Sequence, residues 1–403
     1  MEYKNKKHIA ILIDDYFPDS TKVAAKMMHE LACEFLSRGY HVTVFTPKQM
    51  KESSQIILLD GVEVFQFKLG PIKNCAFVKR AINETLLSFS AQKNARVFCK
   101  SKKFDLIVNY SPSIFWGHFA RYLKNMNNAK IYLILRDFFP QWIIDNGMIK
   151  KGSWIEKYFR FFERLNYNSS DKVGIQSPAN IAFFKSHHGN KYPLSLLYNW
   201  ANNEIPLGNY SLKKKYGLQD KVVFFYGGNI GTAQDMDNIL RLAKKIENHV
   251  NAHFLFVGEG DEVPLVLSAI NESKAENITY IKSISQEEFK LLLKEIDVGL
   301  FTLNKHHKSH NFPGKILGYM VNNVPILGSV NQGNDLEETI HEYDAGLVTT
   351  NGDDEQLYEN ALSLLFDEKL RIRMGLNAQK LYHAKFTVAA AADEILSILE
   401  TEG

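Results

Sequence analysis

Two stretches of this chain combine residue types and spacings suited to an anion, and a third suits proton transfer. Lys315 follows a Pro313-Gly314 turn at the start of a short helix expected over residues 315–321, which leads into the apolar strand VPILGSV. Where a helix N-terminus meets a strand end, free backbone N–H groups and the helix dipole favour an anion, and an ammonium adds a point charge. That combination suits a diphosphate. Tyr226-Gly227-Gly228-Asn229-Ile230-Gly231 lies between an expected strand and an expected helix. Its glycines either let backbone amides approach a phosphate closely or simply turn the chain, and both readings stay open. The third stretch, Arg136-Asp137, closes the apolar run KIYLILRD. A carboxylate at a strand's carboxyl end could accept a hydroxyl proton, or an Arg–Asp pair could pin the loop.

These residues need a scaffold, and the hydropathy pattern supplies two sets of alternating strands and helices. HIAILID, a helix with Val23, Met27, Met28, Leu31 and Phe35 at helical spacing, and HVTVFTP make one β-α-β unit. Strands are further expected at 62–68, 105–110, 130–137 and 172–177. A second set is expected at 221–231, 253–262, 278–285, 298–303, 324–330 and 345–350, before three closing helices. In such sheets ligands bind beyond the carboxyl ends of the strands, which points at Asp14, Asp15, Ser111, Arg136, Asp137 and Ser177. His118, in WGHFARYL, is a further candidate for the same cleft or a structural helix residue.

The chain has 403 residues, enough for two domains that each bury a core. Three cysteines (Cys33, Cys75 and Cys99) without Cys-x-x-Cys spacing suggest a reduced compartment rather than disulfides or zinc. The early strand leaves no room for a signal peptide and no run of 18 apolar residues occurs, so a cytoplasmic protein is expected. A net charge of +3 conceals an asymmetry: residues 1–200 hold 29 basic and 16 acidic side chains, residues 201–403 hold 19 and 29. The basic half therefore expects an anionic partner. Residues 70–103 carry eight basic side chains against only Glu84. The segment WIEKYFRFFERLNY puts Trp154, Tyr158, Phe161, Phe162 and Leu165 on one helical face. Both stretches suit a membrane surface, or a helix packed on its own sheet with solvated lysines.

The Lys315 segment resembles the P-S-K-x-x-E-Y-M-x-x-G-x-P element of family 4 glycosyltransferases. Pro313, Lys315, Tyr319, Met320 and Pro325 match it, whereas Gly318 stands where the family has glutamate. The wording R-G-Y-x-V-T-V at residues 38–44 also resembles the family's first unit. The family's G-R-x-x-x-x-K-G turn has Asn229 and Gln234 here in place of its Arg and Lys. That departure is similar to a WbuB-like subgroup, described as N-acetyl-L-fucosamine transferases of O-antigen and capsule clusters, which shares G-N-x-G-x-A-Q, R-D-x-x-P and Y-N-W. The resemblance implies an α/β protein of the GT-B fold, two facing Rossmann-like domains with a cleft between them. Residues 1–203 would bind the acceptor, 204–385 the nucleotide-sugar, and a helix from about 386 to 403 would pack back on the first domain.

By the same resemblance, Gly228, Asn229, Gly231, Glu259, Ile284, Asn311, Gly314 and Lys315 would bind the donor. Asp137, Arg136 and His310 would act in catalysis, His310 or Asn311 replacing the first glutamate of the family's Glu-x7-Glu pair. Asp14, Asp15, Ser111 and His118 would meet the acceptor. The implied reaction is retaining and needs no metal or cofactor. It moves an N-acetyl-6-deoxyaminosugar from a UDP-sugar to a polyprenyl-diphosphate-saccharide at the inner face of the cytoplasmic membrane. Asp235-Met236-Asp237 resembles a metal motif but reads as helix capping, and His306, His307 and His310 lack an evident helix or further ligand. Rival readings are a UDP-sugar 2-epimerase of the same fold and a non-catalytic scaffold of a polysaccharide assembly complex. Nucleic-acid binding lacks a motif.

Overall fold

The structure is a computed structural model, and it describes residues 6–20, 22–73, 75–145, 147–203, 208, 212–273, 276–307, 310 and 312–400. The chain folds into two compact units, Met1–Tyr198 with Val388–Gly403, and Asn199–Thr387. The sequence had suggested a division after residue 203 and a return at 386.

The first unit runs β1 (His8–Leu12), α1 (Val23–Ser37), β2 (His41–Lys48), β3 (Ser54–Leu59), β4 (Val62–Lys68) and α2 (Phe77–Lys100). It continues through β5 (Leu106–Ser111), α3 (Gly117–Asn127), β6 (Lys130–Leu135), α4 (Gln141–Asp145) and α5 (Trp154–Ser169). β7 (Lys172–Ile175), α6 (Pro178–His188) and β8 (Leu194–Leu196) complete the sheet. The strand order is β3-β4-β2-β1-β5-β6-β7-β8, with only the β3–β4 pair antiparallel. β1 and β5 are wholly buried, as continuous apolar runs between helical layers require. The order reverses between β1 and β5, so a crevice opens at their carboxyl ends.

Two strands escaped the sequence reading. β3 is half-exposed at the sheet edge, and its hairpin turns on Asp60-Gly61, both with positive φ, the residue pair that such a turn favours. β8 is three residues long.

The second unit runs α7 (Leu212–Lys215), β9 (Val222–Gly227), α8 (Met236–Lys245), β10 (Ala252–Val257), α9 (Val263–Ser273), β11 (Ile278–Ile281) and α10 (Gln286–Leu292). β12 (Val298–Thr302), α11 (Lys315–Val321), β13 (Ile326–Val330), α12 (Leu336–Glu342), β14 (Gly346–Thr350), α13 (Asp354–Phe366) and α14 (Glu368–Lys385) follow. Its sheet is wholly parallel, ordered β11-β10-β9-β12-β13-β14, and reverses between β9 and β12. The chain then returns to the first unit as α15 (Val388–Leu396), which packs on α1. Arg38 of α1 pairs with Asp393, and Lys172 of β7 with Glu394 at 3.0 Å.

Candidate functional site

The carboxyl ends of β9 and β12 hold the most informative residue of the second unit. Lys315 opens α11, its stem half-exposed and its ammonium shielded. Among the described residues Nζ has no hydrogen-bond partner. Instead it lies 3.3 Å from the centre of the Tyr226 ring, at the end of β9. A cation–π contact of this kind contributes about 0.5–2 kcal/mol, whereas removing an ammonium from water costs several kcal/mol. Desolvation wins, and burial lowers the Lys315 pKa well below its ordinary 10.5. One turn on, the buried Tyr319 hydroxyl lies 3.0 Å from Leu300 O and accepts from the Gly227 amide at 3.4 Å, which fixes α11 over the sheet.

The glycine loop after β9 is tied down on one side. Gly228 N donates to Val257 O and Ile230 N to Glu259 O, both at 2.9 Å. A Cβ on Gly258 would come within 1.8 Å of Gly228 O, so only glycine permits that approach. The alternate amides, Asn229 N and Gly231 N, make no hydrogen bond among the described residues. Asn229 and Gln234 bond each other at 2.7 Å. The short turn at Thr232–Gln234 is clamped from the other side: Asn304 bonds Thr232 O and His307 Nε2 lies 2.8 Å from Ala233 O. Asn304 and His307 thus have structural work that the sequence reading did not assign. Asp235 does not cap α8 as expected. It takes φ +55° and its carboxylate accepts from Asn351 at 2.9 Å.

His310 is half-buried, and burial lowers its pKa against the opposing charge of Asp335. Gly314 is exposed at the α11 start. Glu259 is an exposed residue 3.4 Å from Lys282, and Ile284 is half-buried just before the Ser285–Glu288 capping box of α10. Asn311 lies outside the described residues. No group of three His, Cys, Asp or Glu side chains is arranged to hold a metal among the described residues.

In the first unit the crevice between β1 and β5 gathers charge. Half-buried Asp14 follows β1, and desolvation raises its pKa, with Lys73 opposing and Asp15 reinforcing. Asp15 pairs with Lys73 at 2.6 Å. Burial raises the pKa of the Glu84 carboxyl in α2, with Arg80 opposing, Asp14 reinforcing and Lys73 opposing. Burial raises the pKa of the Tyr110 hydroxyl in β5, with Arg136 opposing and Asp137 and Asp14 reinforcing. Ser111, buried at the end of β5, accepts from Arg136 N at 3.2 Å. The structure therefore brings Asp14, Asp15, Ser111, Arg136 and Asp137 to one crevice, and adds Lys73, Glu84 and Tyr110. Only folding could add Lys73 and Glu84, because α2 and its preceding loop lie far from β5 in sequence, whereas Tyr110 directly precedes Ser111.

Asp137 is accessible as a residue while its carboxyl is partly desolvated, and that desolvation raises its pKa against the pull of Arg136. Among the described residues no hydrogen bond or ion pair joins the two side chains. The pinning alternative thus loses its contact. His118 does not join this group. Its Nε2 bonds Gln92 at 2.9 Å and its ring rests on Phe89, so it is committed to packing α3 on α2.

Comparison with known families finds relatives along most of the chain. Residues 210–381 match glycosyl transferases group 1. Along 330 residues the chain is 26% identical to a probable glycosyltransferase, WbjE, of Pseudomonas aeruginosa, covering 81% of this chain and 79% of that one. It superposes on the sucrose-phosphate synthase of Thermosynechococcus elongatus with a TM-score of 0.73 at 14% identity, over 98% of this chain and 99% of the other. It superposes on Anabaena HepE, solved with UDP and glucose, at 0.69 and 14%, over 98% and 100%. The two α/β units are those of the GT-B glycosyltransferase fold.

Within the matched residues 210–381, the departures noted in the sequence acquire a geometry. Asn229 and Gln234 satisfy each other rather than offering cations. At Gly318, a Cβ would meet Leu293 Cδ1 at 3.0 Å, so a side chain there would first push on an apolar neighbour.

Proposed function

We propose that this protein is a retaining, metal-independent glycosyltransferase that uses a UDP-sugar donor and a polyprenyl-diphosphate-linked saccharide acceptor. The observation that carries this reading is the Lys315 ammonium: shielded, without a hydrogen-bond partner, and beside a glycine loop with two unused amides. A buried cation without an anion is costly, and a diphosphate supplies the missing charge. The match of residues 210–381 and the UDP held by Anabaena HepE support the donor class. Likeness to the WbuB-like subgroup favours an N-acetyl-6-deoxyaminosugar such as N-acetyl-L-fucosamine, in O-antigen or capsule synthesis. Asp137 takes the acceptor proton, with Asp14, Asp15 and Ser111 lining the acceptor side. The test is transfer from a panel of UDP-sugars to a synthetic lipid-diphosphate GlcNAc, with product anomers read by NMR. Retained configuration is expected. UDP binding without transfer to any lipid acceptor would remove the transferase reading.

The acceptor places the enzyme at the inner face of the cytoplasmic membrane, and no helix among the described residues is long and apolar enough to cross one. The contact surface we favour is α2. Val78, Ile82, Leu86, Phe89 and Val97 are exposed along one face, and Lys79, Lys93, Arg96 and Lys100 share it. Apolar and basic side chains on one helix face fit an anionic bilayer. The α5 stripe expected from sequence is divided: Tyr158 and Phe162 pack inward on the core, Leu165 is half-buried, and of the stripe only Trp154 and Phe161 are exposed. Binding to anionic vesicles should therefore weaken with salt. It should also fall when Ile82 and Phe89 become Ser and Lys93 and Arg96 become Glu, while UDP affinity holds. Equal binding to neutral and anionic vesicles in co-sedimentation would exclude this surface.

A further inference from the structure

Tyr226 touches both parts of the donor site at once. Its buried ring carries Lys315 Nζ on one face, and its hydroxyl donates to Asn229 O at 2.8 Å. Lys315 Cε comes within 3.9 Å of where a Gly228 Cβ would stand, so ammonium and glycine loop are neighbours. We propose that Tyr226 is a positioning residue: it holds Lys315 Nζ over its ring in the empty site and presents it to the incoming diphosphate, where it becomes an ammonium, while the Tyr226 hydroxyl holds the glycine loop beside it. The proposal rests on the donor reading above. It gives this chain a way to bind a diphosphate with one cation where two others, at positions 229 and 234, are lacking.

Among the described residues no carboxylate pairs with Lys315 Nζ. Burial raises the Tyr226 hydroxyl pKa, with Tyr319 and Glu262 reinforcing; the Tyr319 hydroxyl is bonded to backbone and the Glu262 carboxylate accepts from Met236 N at 2.9 Å. Burial alone acts on Lys315 and lowers its proton affinity. A diphosphate reverses that, because an adjacent anion favours the charged form. Donor binding then takes up a proton, which comes from solvent and stays on Nζ.

Calorimetric titration of UDP into the full-length protein, in buffers of different ionisation enthalpy, reads that proton directly. The titrations are run above about pH 7.5, where the terminal phosphate of UDP, with a pKa of about 6, is fully ionised. Wild type should show proton uptake, and its affinity should fall by up to about tenfold per pH unit as pH rises above the lowered lysine pKa. Lys315→Met should bind without uptake. Tyr226→Phe keeps the ring face, so uptake persists while affinity drops about three- to tenfold through the lost tie to Asn229. Tyr226→Leu removes the parking place, so uptake disappears and affinity falls at least about tenfold. Should the leucine variant not fold, wild type, Tyr226→Phe and Lys315→Met still decide. UDP binding by wild type without proton uptake overturns the proposal and leaves the donor reading standing. No UDP binding by wild type overturns both.

Discussion

Replacing Lys315 by methionine should lower kcat/KM by at least about 10²-fold while making the ligand-free protein harder to melt. The first effect follows from charge. A charge-assisted contact to phosphate contributes roughly 1.5–3 kcal/mol, and tenfold in rate corresponds to about 1.4 kcal/mol. As the glycosidic bond breaks, charge builds on the leaving diphosphate, so the transition state loses more than the ground state does. Donor affinity should accordingly fall less than turnover. The second effect follows from burial. Methionine fills much of the same volume without an ammonium to desolvate, and each kcal/mol recovered raises the melting temperature of a unit this size by about 2–4 °C.

The sign of the pH dependence provides a check. The folded protein holds the Lys315 proton less tightly than the unfolded chain does. Stability associated with this group is therefore full above the unfolded value of 10.5 and is lost as pH falls toward the lowered folded value. The methionine variant should gain most at neutral pH and lose its advantage as pH approaches 10.5. A melting temperature below wild type at neutral pH would contradict the shielded, unpaired ammonium.

Asp137→Asn should reduce kcat by about 10²-fold or more, with little change in donor binding and no loss of thermal stability. A carboxylate that only braced Arg136 would behave in the opposite way, but no bond between the two side chains exists to be broken. Because desolvation raises the Asp137 carboxyl, the rate should decline on the acid side at a higher pH than an ordinary carboxylate would dictate. Rates and melting curves measured side by side separate the outcomes. A variant that melts early yet turns over normally per folded molecule would assign Asp137 to structure.

Much of this architecture is legible in the sequence because parallel strands buried on both faces read as continuous apolar runs. HIAIL, LIVNYS and AHFLFV could hardly be anything else. Edge elements are harder. β3 alternates weakly and is half-exposed, so hydropathy gave no signal, although the Asp60-Gly61 turn did. Lys315 was visible through its Pro-Gly turn, but its partner Tyr226 was not, since an aromatic at the end of a core strand reads as packing. The α5 stripe misled for a related reason. Helical spacing places Tyr158 and Phe162 on one face, and only the positions of α2 and α3 determine whether that face meets water or protein. Asp235 looked like a cap until its left-handed backbone turned the carboxylate toward Asn351.

The return of α15 to the first unit sets an order of events during synthesis. The second unit, residues 199–387, is an insertion within the first, so the ribosome delivers the opening 198 residues well before their closing helix. Until Ala392 and Ile395 emerge and bury themselves, the face of α1 that receives them stays bare and Arg38, Lys172 and Tyr132 wait for Asp393 and Glu394. The second unit can finish folding while its neighbour is still open. The residues of α15 thus complete a unit whose strands were made before the second unit was begun.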